Sequence, residues 1–369
     1  MEILVTGSRG FVGRNLIAHL KQRGYSDILE YDIDTDPRLL DGYTRRCGFV
    51  FHLAGIQRPQ NPDEFMAGNM GFTQTLIESL QKHGSKAPVL VSSSIQAELD
   101  NPYGQSKKAG EDCILAHAEK SGAAVYVYRL PNVFGKWGRP NYNSAVATFC
   151  HNIARDLPIT VNDPEAVISL VYIDDVCVQF IRALEQNANR IGQYCMVEPV
   201  YTVKLGRIAQ LLESFRESRG NLLIPDFADE FTKKLYSTYL SYLPEDAFSY
   251  PLKMHSDHSG SFTEFLRSNS NGQVSVNISK PGITKGNHWH HSKNEKFLVV
   301  SGQGVIRLRA PGLEKTIEYH VSGGNLQAVD IPPGYTHSIE NTGDCDMVTV
   351  MWANECFDPA NPDTNALEV

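Results

Sequence analysis

The sequence has no Cys-x-x-Cys pair, no excess of basic residues and no apolar run approaching the roughly 18 residues of a transmembrane helix. Each absence excludes a class. The seven cysteines, Cys47, Cys113, Cys150, Cys177, Cys195, Cys345 and Cys356, are odd in number and scattered. A disulfide scaffold and a zinc–thiolate site are both disfavoured, and reduced thiols of a cytoplasmic protein fit better. A net charge of -8 argues against a dedicated nucleic-acid or anionic-membrane binder, while leaving room for local basic sites that meet phosphate. The first residues lack a basic n-region and a long apolar h-region, so a secretory signal is not expected. Gly (29) and Pro (19) are too few for a collagen-like or linker-like chain. What remains is ordinary globular composition, 41% hydrophobic and 21% charged, in 369 residues. At about 150 residues per domain, two domains are expected.

The chain changes style along its length. Up to about residue 245, short apolar strands (Ile3–Val5, Phe49–Leu53, Val89–Val91, Val125–Tyr128) alternate with helical spacing over Phe11–Gln22, Phe72–His83 and Ala109–Lys120. Uninterrupted apolar strands separated by helices predict a doubly wound parallel sheet, an α/β Rossmann domain over residues 1–245. From Gly260 onward the apolar residues alternate in Val274–Ile278, Lys296–Val300, Val305–Leu308 and Met347–Met351, with Gly, Pro and Asn turns between. That pattern predicts an all-β sandwich or barrel over residues 246–369. The boundary is placed in the polar, Pro-containing stretch Ser241–Ala247.

Gly7-x-x-Gly10-x-x-Gly13 lies between the first strand and the first helix. Glycine there permits a tight turn and close approach of a pyrophosphate to the helix N-terminus. Alone the triplet is weak evidence; its position after a strand and before a helix strengthens it. Further on, Tyr103 and Lys107 are four residues apart, so on a helix they share one face. An ammonium there favours a phenolate, and the Tyr103 pKa is expected to fall toward neutrality. Such a tyrosine exchanges a proton with a sugar oxygen, and Ser94, at the end of a strand, can hydrogen-bond the same atom.

Taken together, Thr6-Gly7-x-x-Gly10-x-x-Gly13, His52-Leu53-Ala54-Gly55, Ser92-Ser93-Ser94, Tyr103-x-x-x-Lys107, Arg129-x-Pro131-Asn132-Val133-Phe134-Gly135 and Tyr172-Ile173-Asp174-Asp175-Val176 occur in that order. Residues 1 to about 240 thereby resemble the extended short-chain dehydrogenases/reductases of the nucleotide-sugar epimerase/dehydratase type. The resemblance implies that Ser94, Tyr103 and Lys107 are catalytic. It implies a dinucleotide against Gly7, Arg9, Gly10, Phe11, Gly13, Asp32, Leu53 and Ala54, with Tyr103, Lys107, Pro131 and Val133 on the nicotinamide side. Ser94, Asn132 and Asn143 would meet the sugar nucleotide. Asp32 suits the ribose 2′-hydroxyl of NAD, whereas Arg9 and Arg14 suit a 2′-phosphate; NADPH is the cofactor expected, with NADH the alternative.

A second constellation is His288-x-His290-x4-Glu295, followed downstream by Pro332-x-Gly334-x-x-His337. His288 and His290 alternate along a strand, so both rings point one way. Three imidazoles and a carboxylate can hold a divalent ion, and Zn, Mn, Fe and Ni are all chemically possible. These spacings resemble both cupin motifs, although the leading glycine of the second would fall at Leu326. Cupins are often dimeric, and a homodimer is expected by that analogy.

End to end, the chain resembles the CapF-type bifunctional capsular-polysaccharide enzymes, through Asn101–Gly104, Phe134–Trp137, Pro140–Ser144, Leu235–Pro244 and Gly282–Gly302. The resemblance implies C3 epimerisation of a UDP-2-acetamido-2,6-dideoxy-4-keto-hexose in the cupin domain, then NADPH-dependent C4 reduction. The product would be the UDP-linked L-talose derivative that precedes N-acetyl-L-fucosamine in capsule or O-antigen synthesis. It also implies zinc on the His/Glu set, with His290, Glu295 and His337 as ligands and His288 as a fourth ligand or the C3 base. The alternative is a reductase whose cupin domain only binds or dimerises. A dinucleotide-sensing regulator fits poorly with an intact Tyr103/Lys107 pair, and an Fe(II) dioxygenase would consume oxygen.

Overall fold

The computed structural model describes residues 1–360 and 362–369. They form two compact units, Met1–Leu212 with Lys234–Leu243, and Glu213–Lys233 with Pro244–Val369.

In the first unit, β1 (Ile3–Thr6), β2 (Ile28–Tyr31), β3 (Phe49–His52), β4 (Val89–Ser94) and β5 (Val125–Leu130) pair in parallel in the order β2-β1-β3-β4-β5. Alternate residues of each strand enter opposite cores. Ile3, Val5, Phe49, Phe51, Tyr126 and Tyr128 pack with α1 (Phe11–Gln22) and α7 (Ile173–Leu184). Leu4, Val50, Val89, Val91, Val125 and Val127 pack with α2 (Leu39–Arg46), α4 (Phe72–Lys82) and α5 (Pro102–Ser121). Burial on both faces is why these strands read as unbroken apolar runs. The strand order reverses at β1/β3, the place where open α/β sheets form a ligand crevice. The glycine turn after β1 sits there. A short helix α3 (Asp63–Phe65) runs through a π-helical turn, Met66–Gly71, into α4. A second sheet joins β6 (Asn132–Phe134), β7 (Val167–Tyr172) and β10 (Tyr201–Lys204), while the two-residue strands β8 (Arg190–Ile191) and β9 (Tyr194–Cys195) extend the first.

Helix α5 has clear punctuation. Asn101 caps it, accepting from the Gly104 amide at 2.8 Å, Pro102 occupies the first turn, and Gly122 ends it at φ 70°. Tyr103, Lys107 and Glu111 recur every four residues along one stripe. Glu111 is 1% exposed and meets the Arg129 guanidinium of β5 through Nε at 2.9 Å and Nη2 at 2.6 Å. The Ser93 hydroxyl of β4 donates to the same carboxylate. Arg129 also pairs with Glu98 at 2.7 Å and lies 4.0 Å over the Tyr194 ring. These bonds lock the rotation of α5 against β4 and β5.

The second unit is all-β apart from its helical ends. Residues 213–233 join it because Leu222 and Ile224 bracket Arg267, with Arg267 N–H donating to Leu222 and Ile224 N–H to Arg267, both at 2.8 Å. One sheet orders β11 (Met254–Asp257), β12 (Gly260–Ser268), β13 (Gly272–Ser279), β20 (Met347–Ala353), β15 (Glu295–Ser301) and β18 (Ala328–Ile331). The other orders β17 (Thr316–Ser322), β16 (Gln303–Arg309), β19 (Thr336–Asn341), β14 (Thr284–Trp289) and β21 (Asn365–Ala366). Phe297, Val299, Val329 and Met347 from the first sheet and Ile306, Leu308, Val321 and Ile339 from the second share one core. The cupin resemblance implies a barrel here, one of the two forms the alternation allows. The described strands form two antiparallel sheets without a hydrogen-bonded strand pair joining them. Alternation specifies a buried face on each strand, which a sandwich satisfies as well as a ring.

Glu111→Ala leaves Arg129 with only its exposed partner Glu98. Breaking one side of such a buried pair costs about 3 kcal/mol. The unfolding transition of the first unit is therefore expected to fall by about 6 to 12 °C in scanning calorimetry, and adding Arg129→Met should recover part of the loss.

Candidate active site and candidate metal centre

The glycine turn is shaped by contact. Gly7 has φ 67°, and a Cβ there would lie 2.8 Å from the Ala54 amide nitrogen. At Gly13 a Cβ would lie 2.2 Å from the Gly7 carbonyl oxygen, so α1 packs directly on the turn. Gly10, at the N-cap, places no side chain over the first amides of α1. Leu53 N–H donates to the Thr6 carbonyl at 3.1 Å, bringing the Leu53-Ala54 segment beside the turn. The cradle thus fits an anionic dinucleotide. Beside it the Asp32 carboxylate accepts the Arg9 amide at 2.7 Å and the Ile33 amide at 2.8 Å, while the Arg9 guanidinium pairs with Asp34. Arg14 is exposed and stacks over Trp137, 5.4 Å from the ring centre.

The structure brings Ser94, Tyr103 and Lys107 together. Ser94 ends β4 and accepts the Gln96 amide at 3.2 Å, which leaves its proton to face the Tyr103 phenol. Lys107 Nζ donates to the Ser92 carbonyl at 3.1 Å. Burial pushes the Lys107 ammonium down to about 8, against the opposing pull of Glu111 one turn on. The expected fall of the Tyr103 pKa does not occur. Burial raises the phenol, because a phenolate there loses its water, and the Ser94 hydrogen bond offsets only part of that. Phe65 closes one side, its ring 5.5 Å from that of Tyr103.

Sequence reasoning missed the supports beneath. Asn69, on the π-helical turn and 4% exposed, accepts the Ile56 amide at 2.8 Å and donates to Ser106 Oγ at 2.9 Å. Buried His52 bridges Thr6 and Thr73, each at 2.8 Å, and burial beside Lys107 holds it neutral, down to about 3. His52 opens the His52-Leu53-Ala54-Gly55 motif, but nothing local marks Asn69. Asn132, one of the three expected sugar contacts, is exposed and donates to the Ser169 carbonyl at 3.2 Å. Asn143 donates to Gln57 Oε1 at 2.9 Å, tying the 57 and 143 loops together. Between those loops the Arg58 and Arg139 guanidiniums lie 5.9 and 4.9 Å from the Tyr142 ring centre. Phe11, Pro131 and Val133 are half-buried.

In the second unit, one potential ligand atom from each of His288, His290, Glu295 and His337 lies within 4.8 Å of the others. Strands β14 and β19 pair His288 opposite His337, and a bulge between Gly286 and His288, with Asn287 at φ 59°, re-aims the strand just before the first histidine. Glu295 opens β15. Its Oε2 stands 3.4 Å from His290 Nε2 and 3.2 Å from His337 Nε2. Burial pushes this carboxyl up, and the Lys293 ammonium, 3.6 Å from Oε1, opposes that push. Burial and the neighbouring His337 and His290 push His288 down to about 4. His290 Nε2, Glu295 Oε2 and His337 Nδ1 are buried without hydrogen-bond partners. Buried polar atoms are normally satisfied. An unpartnered imidazole nitrogen facing an unpartnered carboxylate oxygen, with two further imidazoles beside them, is what a bound cation would resolve, and a nitrogen-and-carboxylate donor set suits zinc. Lys296 points away and pairs with Asp330, and exposed His291 meets the Trp289 ring edge-on, 4.4 Å between ring centres.

Comparison with known proteins gives a consistent result. Residues 3–195 match the NAD dependent epimerase/dehydratase family, and residues 255–365 match the polysaccharide biosynthesis C-terminal domain. The chain is 47% identical, over its whole length and 99% of the relative, to the UDP-2-acetamido-2,6-beta-L-arabino-hexul-4-ose reductase of Pseudomonas aeruginosa. It is 51% identical to the capsular polysaccharide assembling protein CapF of Staphylococcus aureus, whose crystal structure it matches with a TM-score of 0.95 over 100% of both chains. The UDP-glucuronic acid 4-epimerase of Bacillus cereus, 20% identical, shares the fold over 58% of this chain and 83% of its own, with a TM-score of 0.52. No helix among the described residues is long and apolar enough to cross a membrane.

If the four-residue cluster takes a cation, added zinc at a thousandfold excess over its Kd should stabilise the second unit by about 4 kcal/mol. Glu295→Ala should abolish that gain in scanning calorimetry, with the transition of the first unit unmoved.

Proposed function

The chain belongs to the CapF-like family, in which an NAD-dependent epimerase/dehydratase domain precedes a polysaccharide biosynthesis C-terminal domain, and from that premise we propose a two-step conversion of one UDP-sugar. The second unit, read as a cupin, inverts C3 of a UDP-2-acetamido-2,6-dideoxy-4-keto-hexose. The first unit then reduces the C4 ketone with NADPH. The end product is the UDP-linked 2-acetamido-2,6-dideoxy-L-talose used for capsule or O-antigen. The reductase name of the 47% identical relative supports the substrate class. The observation that carries the epimerisation step is the unpartnered His290 Nε2 facing the unpartnered Glu295 Oε2 at 3.4 Å, in a cluster that His288 and His337 complete.

When bound, NADPH supplies the hydride and zinc supplies positive charge that makes the proton beside a ketone easier to remove. In the second unit His290, Glu295 and His337 would hold the ion. His288, half-buried where His290 is 2% and His337 1% exposed, is neutral at ordinary pH and has a lone pair free to take the C3 proton. Return of a proton to the opposite face inverts that carbon.

In the first unit Ser94 and Tyr103 address the C4 oxygen. Tyr103 gives the proton that completes the new hydroxyl, and its raised pKa keeps that proton in place until reduction. Lys107, when charged, stabilises the phenolate that remains. The two guanidiniums around Tyr142 offer charge to the UDP diphosphate, and Arg9 with Arg14 offer it to a 2′-phosphate. Because Lys107 is charged below pH 8 and neutral above, reductase kcat/KM should fall on the alkaline side near that pH. Lys107→Arg, which keeps its charge, should lower the rate but lose that limb.

The deciding experiment is an NMR time course in D2O with the 4-keto substrate, first without NADPH and then with it. Deuterium entering C3 before NADPH is added, followed by NADPH oxidation, supports both steps in that order. NADPH oxidation without C3 exchange leaves the second unit as a binding module of a simple reductase. His288→Gln should lose C3 exchange and keep NADPH oxidation on an already epimerised substrate; Tyr103→Phe should do the reverse.

A further inference from the structure

The segment 363–369 reaches the His/Glu cluster from far along the chain. Asn365 and Ala366 form β21, paired with Trp289 and His288 of β14. Leu367 N–H donates to the Asn287 carbonyl at 2.9 Å, so the segment continues alongside the bulge. At its start stands Asp363, which makes two kinds of contact. Its carboxylate accepts three consecutive amides, His291 and Ser292 at 2.8 Å and Lys293 at 2.9 Å, together with the Ser292 hydroxyl at 3.2 Å. Its backbone carbonyl accepts a hydrogen bond from His290 Nδ1.

The second contact has a chemical consequence. A neutral imidazole carries one proton, and a carbonyl can only accept. Nδ1 must therefore be the protonated nitrogen, and the lone pair sits on Nε2, the buried atom that faces Glu295 without a partner. The first contact holds the carbonyl in place: a carboxylate bound to three amides of the turn cannot drift from the residue before that turn. The same turn leads to Asn294, whose amide donates to Asn354 Oδ1 at 3.0 Å, and then to Glu295. One residue thus fixes both the orientation of one donor and the loop that delivers another.

We propose that Asp363 is the positioning residue of the cluster, caging the His291–Lys293 turn with its carboxylate and setting the His290 tautomer with its carbonyl. The inference rests on the reading of the cluster as a cation site, but its geometry does not need the ion. Outer-shell partners of ligating histidines generally change metal affinity by about 10- to 100-fold. Asp363→Ala should weaken zinc affinity of the full-length protein by that factor, measured by competition with a chromophoric chelator. Asp363→Asn, whose amide oxygen still accepts amides, should lose clearly less.

The second readout uses metal-stripped protein with 15N-labelled histidine. Wild-type His290 should appear as the Nδ1–H tautomer, and Asp363→Ala should convert it to a mixture with Nε2–H. A retained cooperative calorimetric transition of the metal-free second unit in both variants would show that this unit is folded. Asp363→Ala with wild-type zinc affinity and an unchanged His290 tautomer would overturn the proposal. Wild-type protein that takes up no zinc would overturn the cation-site reading, and the tautomer measurement would still decide the role of Asp363.

Discussion

The buried ion pair between Glu111 and Arg129 is the constraint on which the first site depends. It costs both ions their water, and such a pair persists only when every remaining lone pair and proton is met. Here Ser93 meets one carboxylate oxygen and Glu98 takes the outer edge of the guanidinium. Because Glu111 lies two turns beyond Tyr103 on one stripe of α5, fixing its side chain also fixes Tyr103 and Lys107 over the end of β4. The same burial that makes the site precise makes its charges expensive. Lys107 is depressed and Tyr103 raised, and Glu111 returns to Lys107 part of the stabilisation that water would have given.

The second unit meets the same difficulty with a different outcome. Glu295 is also a buried carboxylate, but its neighbours are imidazoles rather than a guanidinium. Neutral imidazoles offer lone pairs where donors are needed, and charged ones would repel each other inside one small volume. The conflict leaves His290 Nε2 and Glu295 Oε2 unsatisfied. A stable fold tolerates such atoms where they serve a site, and here everything around them is rigidly held: paired strands β14 and β19, the start of β15, and the Asp363 cage.

Much of both sites is legible because regular backbone converts spacing into geometry. Four residues on a helix bring Tyr103 to Lys107, and a two-residue step off the end of β14 places His290 beside His288. The glycine turn is readable for a similar reason, since backbone contact at Gly7 and Gly13 excludes any side chain. What stayed hidden involves pairs distant in sequence or the balance of opposing effects. Asn69 acts from a π-helical turn with no local signature, and Asp363 acts across 73 residues. The Tyr103 shift runs opposite to the sequence expectation because proximity to Lys107 is written in the sequence whereas loss of water is not.

The sequence by itself determined the order of elements, the two styles of patterning, and which side chains could meet along a single helix or strand. These follow from local periodicity and steric limits that each segment carries with it. Tertiary structure alone decided that the reversal of strand order falls at the glycine turn, that residues 213–233 pack with the second unit, and that the β strands form two sheets. It also decided which polar atoms are buried and what they face. Desolvation depends on everything that surrounds a group, and no segment contains that information until the others have packed around it.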